Sequence, residues 1–259
     1  MKEKYYLHLN MESNINQALQ NEEFQLYYQP IIDLKTQKIT ALEALIRWWN
    51  KDGQFIPPNE FIPFARKSGQ IFSIGQWVLE EGCRQQNLWE SQELSVATEI
   101  NFSARQFERE DLPDIVRREI INYGLEPHDI RIEITESSLI KDLSKCAGIL
   151  KVLSNMGIKI ILDDFGTGYS SLSYLMNLPL DILKLDRSFI TEIDKDENKQ
   201  EVAENLINLA HCLEIDVTAE GVENEDELNF LVGVDCDYAQ GYYFARPQPP
   251  EDLFSLLNR

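Results

Sequence analysis

The run Ile160-Ile161-Leu162-Asp163-Asp164-Phe165-Gly166-Thr167-Gly168-Tyr169 takes an apolar stretch into two adjacent carboxylates and then two glycines one residue apart. Neighbouring aspartates repel each other and lose hydration when partly buried, so the pair calls for a cation beside or between them. More polar groups fall where other short apolar runs end: Glu43 with Arg47, Asn101, Glu133, Lys184 with Asp186, Glu220 with Glu223, and Gln240. Most are oxygen donors, which suit hard cations such as Mg2+ or Mn2+ better than zinc or copper. His8, His128 and His211 lie away from these positions. A histidine-based metal site and a Ser-His-Asp triad are therefore disfavoured.

Strands and helices must bring these groups together. Phe24–Asp33 and Ile39–Trp48 read as strands joined by Leu34–Lys38, a linker too short for a parallel crossover, so the two are antiparallel. Strand and helix then alternate. The expected helices are Pro58–Glu90 in one or two pieces, Pro113–Tyr123, Ser144–Met156, Leu172–Leu178, Lys199–Leu213, Asn224–Val232 and Pro249–Leu257. The expected strands are Val96–Asn101, Ile130–Ile134, Lys159–Leu162, Ile182–Asp186, Ile215–Ala219 and Tyr238–Tyr242. Eight strands with helices between all but the first pair predict an α/β fold, a TIM-like (β/α)8 barrel whose first strand is antiparallel. Residues 1–20 read as a lead-in helix, clearest over Met11–Gln20, that packs under the first strand; residues 21–259 form the barrel.

Active sites of such barrels lie at the C-terminal ends of the parallel strands, where the polar residues above collect. A lone glutamate such as Glu43 or Glu133 is ordinarily a surface side chain, but independent surface carboxylates have no reason to end successive strands. Lys184 and Asp186 share a strand face, which allows either a mutual salt bridge or a lysine that orients a water or phosphoryl oxygen. Gly166 and Gly168 lack a phosphate-loop pattern and read as a turn opening a mobile active-site loop. Asp194–Glu197 reads as a solvated loop, and Glu225–Glu227 as helix-start charges.

At 259 residues, with 43% hydrophobic and 26% charged residues, the chain is sized for one large domain. A formal net charge of −20 argues against DNA or any other extended polyphosphate partner, though not against a small anion held through metal ions. Cys83, Cys146, Cys212 and Cys236 are scattered and read as reduced thiols. No stretch has the apolar length to span a bilayer, and a cytoplasmic location is expected.

The chain resembles the EAL-domain cyclic di-GMP phosphodiesterases of bacteria. The resemblance rests on Tyr28-Gln29-Pro30-Ile31, Glu43-Ala44-Leu45, Asn101-Phe102-Ser103, Glu133-Ile134-Thr135-Glu136, Asp163 to Ser171, Lys184-Leu185-Asp186, Ala219-Glu220-Gly221-Val222-Glu223 and Gln240-Gly241-Tyr242. These follow in the family's order across roughly residues 20 to 250; Phe102 and Tyr243 depart from it only in apolar type. The resemblance implies metal-dependent hydrolysis of cyclic di-GMP to linear 5'-pGpG, with two Mg2+ or Mn2+ ions per site and inhibition by Ca2+. It also implies that Glu43, Asn101, Glu133 and Asp163 ligate one ion, and that Asp163 bridges to a second held with Asp164 and Glu220. Lys184 would hold the attacking water and Glu220 would be the general base, so that Glu220, Lys184, Glu43 and Asp163 carry catalysis. Gln29, Arg47, Asp186 and Gln240 would contact substrate, Glu136 would anchor the glycine loop, and Glu223 would support the site. A homodimer, and sensory or GGDEF domains in a longer protein, are family expectations. Two rival readings are an inactive sensor that only binds cyclic di-GMP and an unrelated barrel enzyme using Lys184 as a base.

Overall fold

β-Branched and aromatic residues dominate Phe24–Asp33 (β1) and Ile39–Trp49 (β2), which pair antiparallel with Gln29 opposite Glu43. A computed structural model describes residues 2–136, 143–166 and 172–257. Gly168, expected in the mobile loop, lies outside the described residues. A two-residue strand, Phe55–Ile56 (β3), extends β2 as a hairpin that the sequence reading did not foresee. Parallel strands follow: Ala97–Phe102 (β4), Ile130–Thr135 (β5), Lys159–Phe165 (β6), Ile182–Leu185 (β7), Asp216–Glu220 (β8) and Tyr238–Gln240 (β9). Around the ring the order is β1-β9-β8-β7-β6-β5-β4-β2, and the β1–β2 pairing closes it. β1 runs antiparallel to both neighbours, so the fold is the TIM-like barrel with a reversed first strand.

Lys2–Gln20 (α1) precedes the barrel; Pro58–Ser68 (α2) and Ile71–Ser91 (α3) follow the hairpin. Leu112–Asn122 (α4), Leu143–Asn155 (α5), Leu172–Asn177 (α6), Arg187–Ile190 (α7), Glu197–Cys212 (α8), Glu225–Gly233 (α9) and Pro250–Leu257 (α10) complete the described helices. α1 packs chiefly on α2 rather than beneath β1: the Gln70 amide donates to the Glu12 carbonyl at 2.7 Å and to Asn16 Oδ1 at 2.8 Å. Outward strand residues such as Ile100, Ile132, Ile160, Leu183 and Val217 are buried in the main core. Burying such apolar side chains yields about 1.5–3 kcal/mol each, so the sheet–helix layer anchors the barrel.

Two local readings change. Asp196 accepts from the Asn198 and Lys199 amides and caps α8, so the expected solvated run Asp194–Glu197 is in part a helix start. Asn224 caps α9 and Glu225–Glu227 stand in its first turn as expected, where Glu227 is buried and accepts from the Glu192 and Glu223 amides. β9 ends at Gln240 because Gly241 lies against the Val222 backbone, where any Cβ would collide.

Candidate active site

In the parallel strands, the period of two points Glu43, Asn101, Glu133, Lys184, Glu220 and Gln240 into the barrel mouth. Lys184 is 1% exposed, and its Nζ lies 2.7 Å from Glu220 Oε1, 3.1 Å from Glu133 Oε2 and 3.3 Å from Glu43 Oε2. Asp186 does not join it. β7 stops at Leu185, and the Asp186 carboxylate caps α7 by accepting from the Ser188 amide at 3.0 Å. Of the two readings of Lys184, the salt bridge to Asp186 is thus replaced by three bridges across the barrel.

Glu43 is the hub. Its Oε1 accepts from Asn101 Nδ2 at 2.9 Å, and its Oε2 accepts from Gln240 Nε2 at 2.6 Å as well as from Lys184. Gln240 also donates to Gln29 Oε1, and Gln29 Nε2 is tied to the Ala245 carbonyl, so β1 delivers its one site residue through a hydrogen-bonded chain. Burial alone would raise the Glu43 pKa, but Lys184 and the bonds from Gln240 and Asn101 outweigh it and pull it below the usual range. Glu133, equally buried and next to Glu43 and Asp163, is pushed well above that range despite Lys184. Burial pushes Glu220 up to about 7, with Lys184 opposing and Asp163 and Glu43 adding. Burial would neutralise Lys184 too, yet Glu133, Glu220 and Glu43 hold it firmly as the ammonium. A lysine so held is a poor proton-abstracting base, which removes the support for a Lys184-based barrel enzyme.

The aspartate pair lies inside a strand rather than after one. β6 continues to Phe165 through a register shift: Leu162 pairs with Leu183 and Phe165 with Leu185, so the strand carries one residue more than its partner. Asp164 adopts φ 56°, a left-handed conformation that aspartate tolerates better than most, and its amide donates to Asp163 Oδ1 at 2.7 Å. The bulge places both carboxylates at the mouth, and burial followed by repulsion from Asp163 and Asp186 raises the Asp164 pKa. Gly166 follows at φ 92°, where a Cβ would meet the Phe189 ring at 2.5 Å, and its amide reaches Glu136 Oε2 at 3.3 Å. Arg47 donates to the Ile46 carbonyl and lies 5.6 Å over the Tyr27 ring, and Glu223 lines the cleft.

The donor set fits divalent cations. Four carboxyl groups, those of Glu43, Glu133, Glu220 and Asp163, act on one cation, Lys184, so with all four ionised, as ligands must be, the site is short of positive charge. Among the described residues no three acid, histidine or cysteine side chains converge on a common point as a finished cage; three of the glutamates each spend an oxygen on Lys184.

Two lobes flank Glu43 and Leu45. One, of about 240 Å3, is lined by Gln29, Asp186, Glu220, Glu223, Gly241 and Tyr242; the other, of about 260 Å3, by Arg47, Arg66, Ile62, Ile74, Phe102 and Ser103 among others. Tyr242, Ser103 and Arg66 were not foreseen as lining residues, since loop and helix-end side chains give no periodic signal. Two more residues were missed inside the barrel. Glu99 and Arg131 form a buried 3.0 Å ion pair one step below Asn101 and Glu133, and the strand period of two would have found them.

The EAL domain family model matches residues 12–247. The chain is 41% identical to the signaling protein YkoW of Bacillus subtilis (strain 168) over 249 residues, 96% of this chain and 31% of that protein. It is 39% identical to the bifunctional diguanylate cyclase/cyclic di-GMP phosphodiesterase MucR of Pseudomonas aeruginosa over 250 residues, 96% of this chain and 36% of that one. The chain thus spans about a third of the length of these curated relatives. A solved structure of the PaMucR phosphodiesterase in complex with c-di-GMP superposes with a TM-score of 0.89 at 39% identity, covering 95% of this chain and all of that one.

Proposed function

The chain belongs to the EAL domain family, and we propose that it is a metal-dependent phosphodiesterase that hydrolyses cyclic di-GMP to linear 5'-pGpG. The observation that carries this reading is the convergence of Glu43, Glu133 and Glu220, from three strands, on the buried Lys184 ammonium at the barrel mouth. Glu43, Asn101, Glu133, Asp163, Asp164 and Glu220 would hold two Mg2+ or Mn2+ ions. Bound there, such ions lower the pKa of water and offset the charge of the attacking and leaving oxygens.

The chain's own groups supply the rest. Glu220 is placed to accept the proton of the attacking water, while Lys184, 2.7 Å away and held as a cation, orients that water and offsets charge on the phosphoryl oxygens. Gln29 and Gln240, bonded to each other and through Gln240 to Glu43, hold the phosphodiester in line; Asp186 and Arg47 contact the substrate from the two lobes. Water adds across one phosphodiester bond, leaving a 5'-phosphate on one guanosine and a 3'-hydroxyl on the other. Sensory or GGDEF domains in a longer protein, a homodimer and a cytoplasmic location belong to the same reading; no helix among the described residues is long and apolar enough to cross a membrane.

Separating products after incubation with Mg2+, Mn2+, Ca2+ or EDTA tests this reading. Formation of pGpG with Mg2+ or Mn2+ and its loss with Ca2+, with EDTA or in Glu220→Gln is expected. Tight binding of cyclic di-GMP without turnover under either activating metal would replace the enzyme with a sensor.

A further inference from the structure

The two lobes beside Glu43 differ sharply in charge. The charged residues lining the first are Glu43, Asp186, Glu220 and Glu223 against Arg187; those lining the second are Arg47 and Arg66 against the shared Glu43. In a chain of formal charge −20, a dianionic ligand is repelled by most of the surface and by one half of its own site. The second lobe is where that repulsion reverses.

Arg66 reaches the lobe by helix geometry. Pro58, Ile62 and Arg66 are spaced by four residues on α2 and all line it, so one helix face supplies an apolar wall that ends in a guanidinium. The end of α2 is fixed from outside the lobe: the Arg105 guanidinium donates to the Arg66 carbonyl and lies 5.4 Å over the Phe72 ring. Arg66 itself is exposed and makes no ion pair with any described residue, so its charge is available at the rim.

We propose that Arg66 is a substrate-binding residue which, together with Arg47, holds the phosphate of the cyclic dinucleotide that is not cleaved. This rests on the phosphodiesterase reading. Planar guanidinium groups recognise phosphate through paired hydrogen bonds, and two on one lobe against one carboxylate give the second phosphate a cationic seat that the acidic first lobe lacks. The catalytic carboxylates then meet only the scissile phosphate. An exposed arginine at a rim acts through approach and orientation more than through buried contact, so its contribution is screened by salt.

The test is calorimetric binding of cyclic di-GMP to the intact chain with Ca2+, the ion expected to occupy the site without supporting turnover, at about 50 mM and about 300 mM salt. Arg66→Gln is expected to weaken binding about fivefold at the lower salt and less than twofold at the higher, and Arg66→Glu to weaken it tenfold or more at the lower. Arg66→Lys should recover part of the loss, and Lys67→Gln, which changes a neighbouring charge outside the lobe, should stay within about twofold of the parent. Arg66→Glu binding as tightly as the parent at low salt would overturn the proposal. So would a loss that is the same at both salt concentrations, or an equal loss in Lys67→Gln. If the unaltered chain does not bind cyclic di-GMP, the phosphodiesterase reading fails first and takes this inference with it.

Discussion

Arg131 and Glu99 pair at 3.0 Å inside the barrel, both nearly inaccessible, directly under the residues that face Lys184. Glu99 is raised by burial and drawn back by Arg131, so each charge is tolerated only because of the other. Breaking such a pair from one side costs about 3–5 kcal/mol, whereas replacing both partners with apolar groups of similar volume is close to neutral. Arg131→Met is therefore expected to lose stability on that scale in urea unfolding, and Arg131→Met with Glu99→Leu to recover most of it. A double variant as unstable as the single one would show that the pair is not an isolated unit.

Asp163 and Asp164 are neighbours in sequence with different surroundings. Asp163 acts directly on Lys184, Glu133 and Glu220, while Asp164 sits on the left-handed residue of the bulge, where Asp163 and Asp186 are the charges that act on it most. Asp163→Asn is expected to lower kcat by roughly a hundredfold or more at saturating metal, and Asp164→Asn by on the order of tenfold. Equal or reversed losses in the product assay would count against Asp163 as the bridging ligand.

The metal-free protein should become less stable as pH rises through neutrality. Glu220 is raised to about 7 in the fold, above its ordinary carboxylate value, so the folded state holds its proton where the unfolded chain has released it. That contribution is complete below the unfolded value and is lost as pH climbs through about 7. Thermal unfolding in EDTA at about pH 5.5 and about pH 8 should give a Tm fall that is smaller in Glu220→Gln. An identical slope in the variant would locate the titration elsewhere.

Metal binding should displace protons. Glu133 and Glu220 both favour the protonated form without a metal, and a carboxylate must be ionised to ligate. Mg2+ titrated into metal-free protein near pH 7 should show an apparent enthalpy that follows the ionisation enthalpy of the buffer, with the sign of proton release. The same enthalpy in two dissimilar buffers would mean that the ligands are already charged.

Much of this site was readable because strand periodicity converts sequence spacing into direction. Glu43, Asn101, Glu133, Lys184 and Gln240 each interrupt or end an apolar run, and their inward facing follows from the barrel. What was not readable depended on departures from that period. The extra residue in β6 is invisible as a pattern, since Ile161-Leu162-Asp163-Asp164-Phe165 reads equally well as a strand that stops early. Asp186 kept the alternation of β7 while serving as a helix cap, because aspartate suits both a strand end and an N-cap. Arg66 belonged to a helix expected from sequence, but which of its faces met the site depended on how α2 packs against β2.

The reversed β1 settles which end of the barrel hears from the N-terminal helix. Because β1 runs against its neighbours, Phe24 starts at the rim where β2 ends, beside Trp48. The Glu23 carbonyl accepts from the Trp49 amide and its carboxylate accepts from Trp48 Nε1, so the junction between α1 and β1 is fastened to the strand end that carries Arg47. α1 also lies along α2, whose last turn bears Arg66. A twist of α1 therefore has a mechanical path to both arginines that crosses one helix and two hydrogen bonds. Such leverage would change how readily the ligand is admitted.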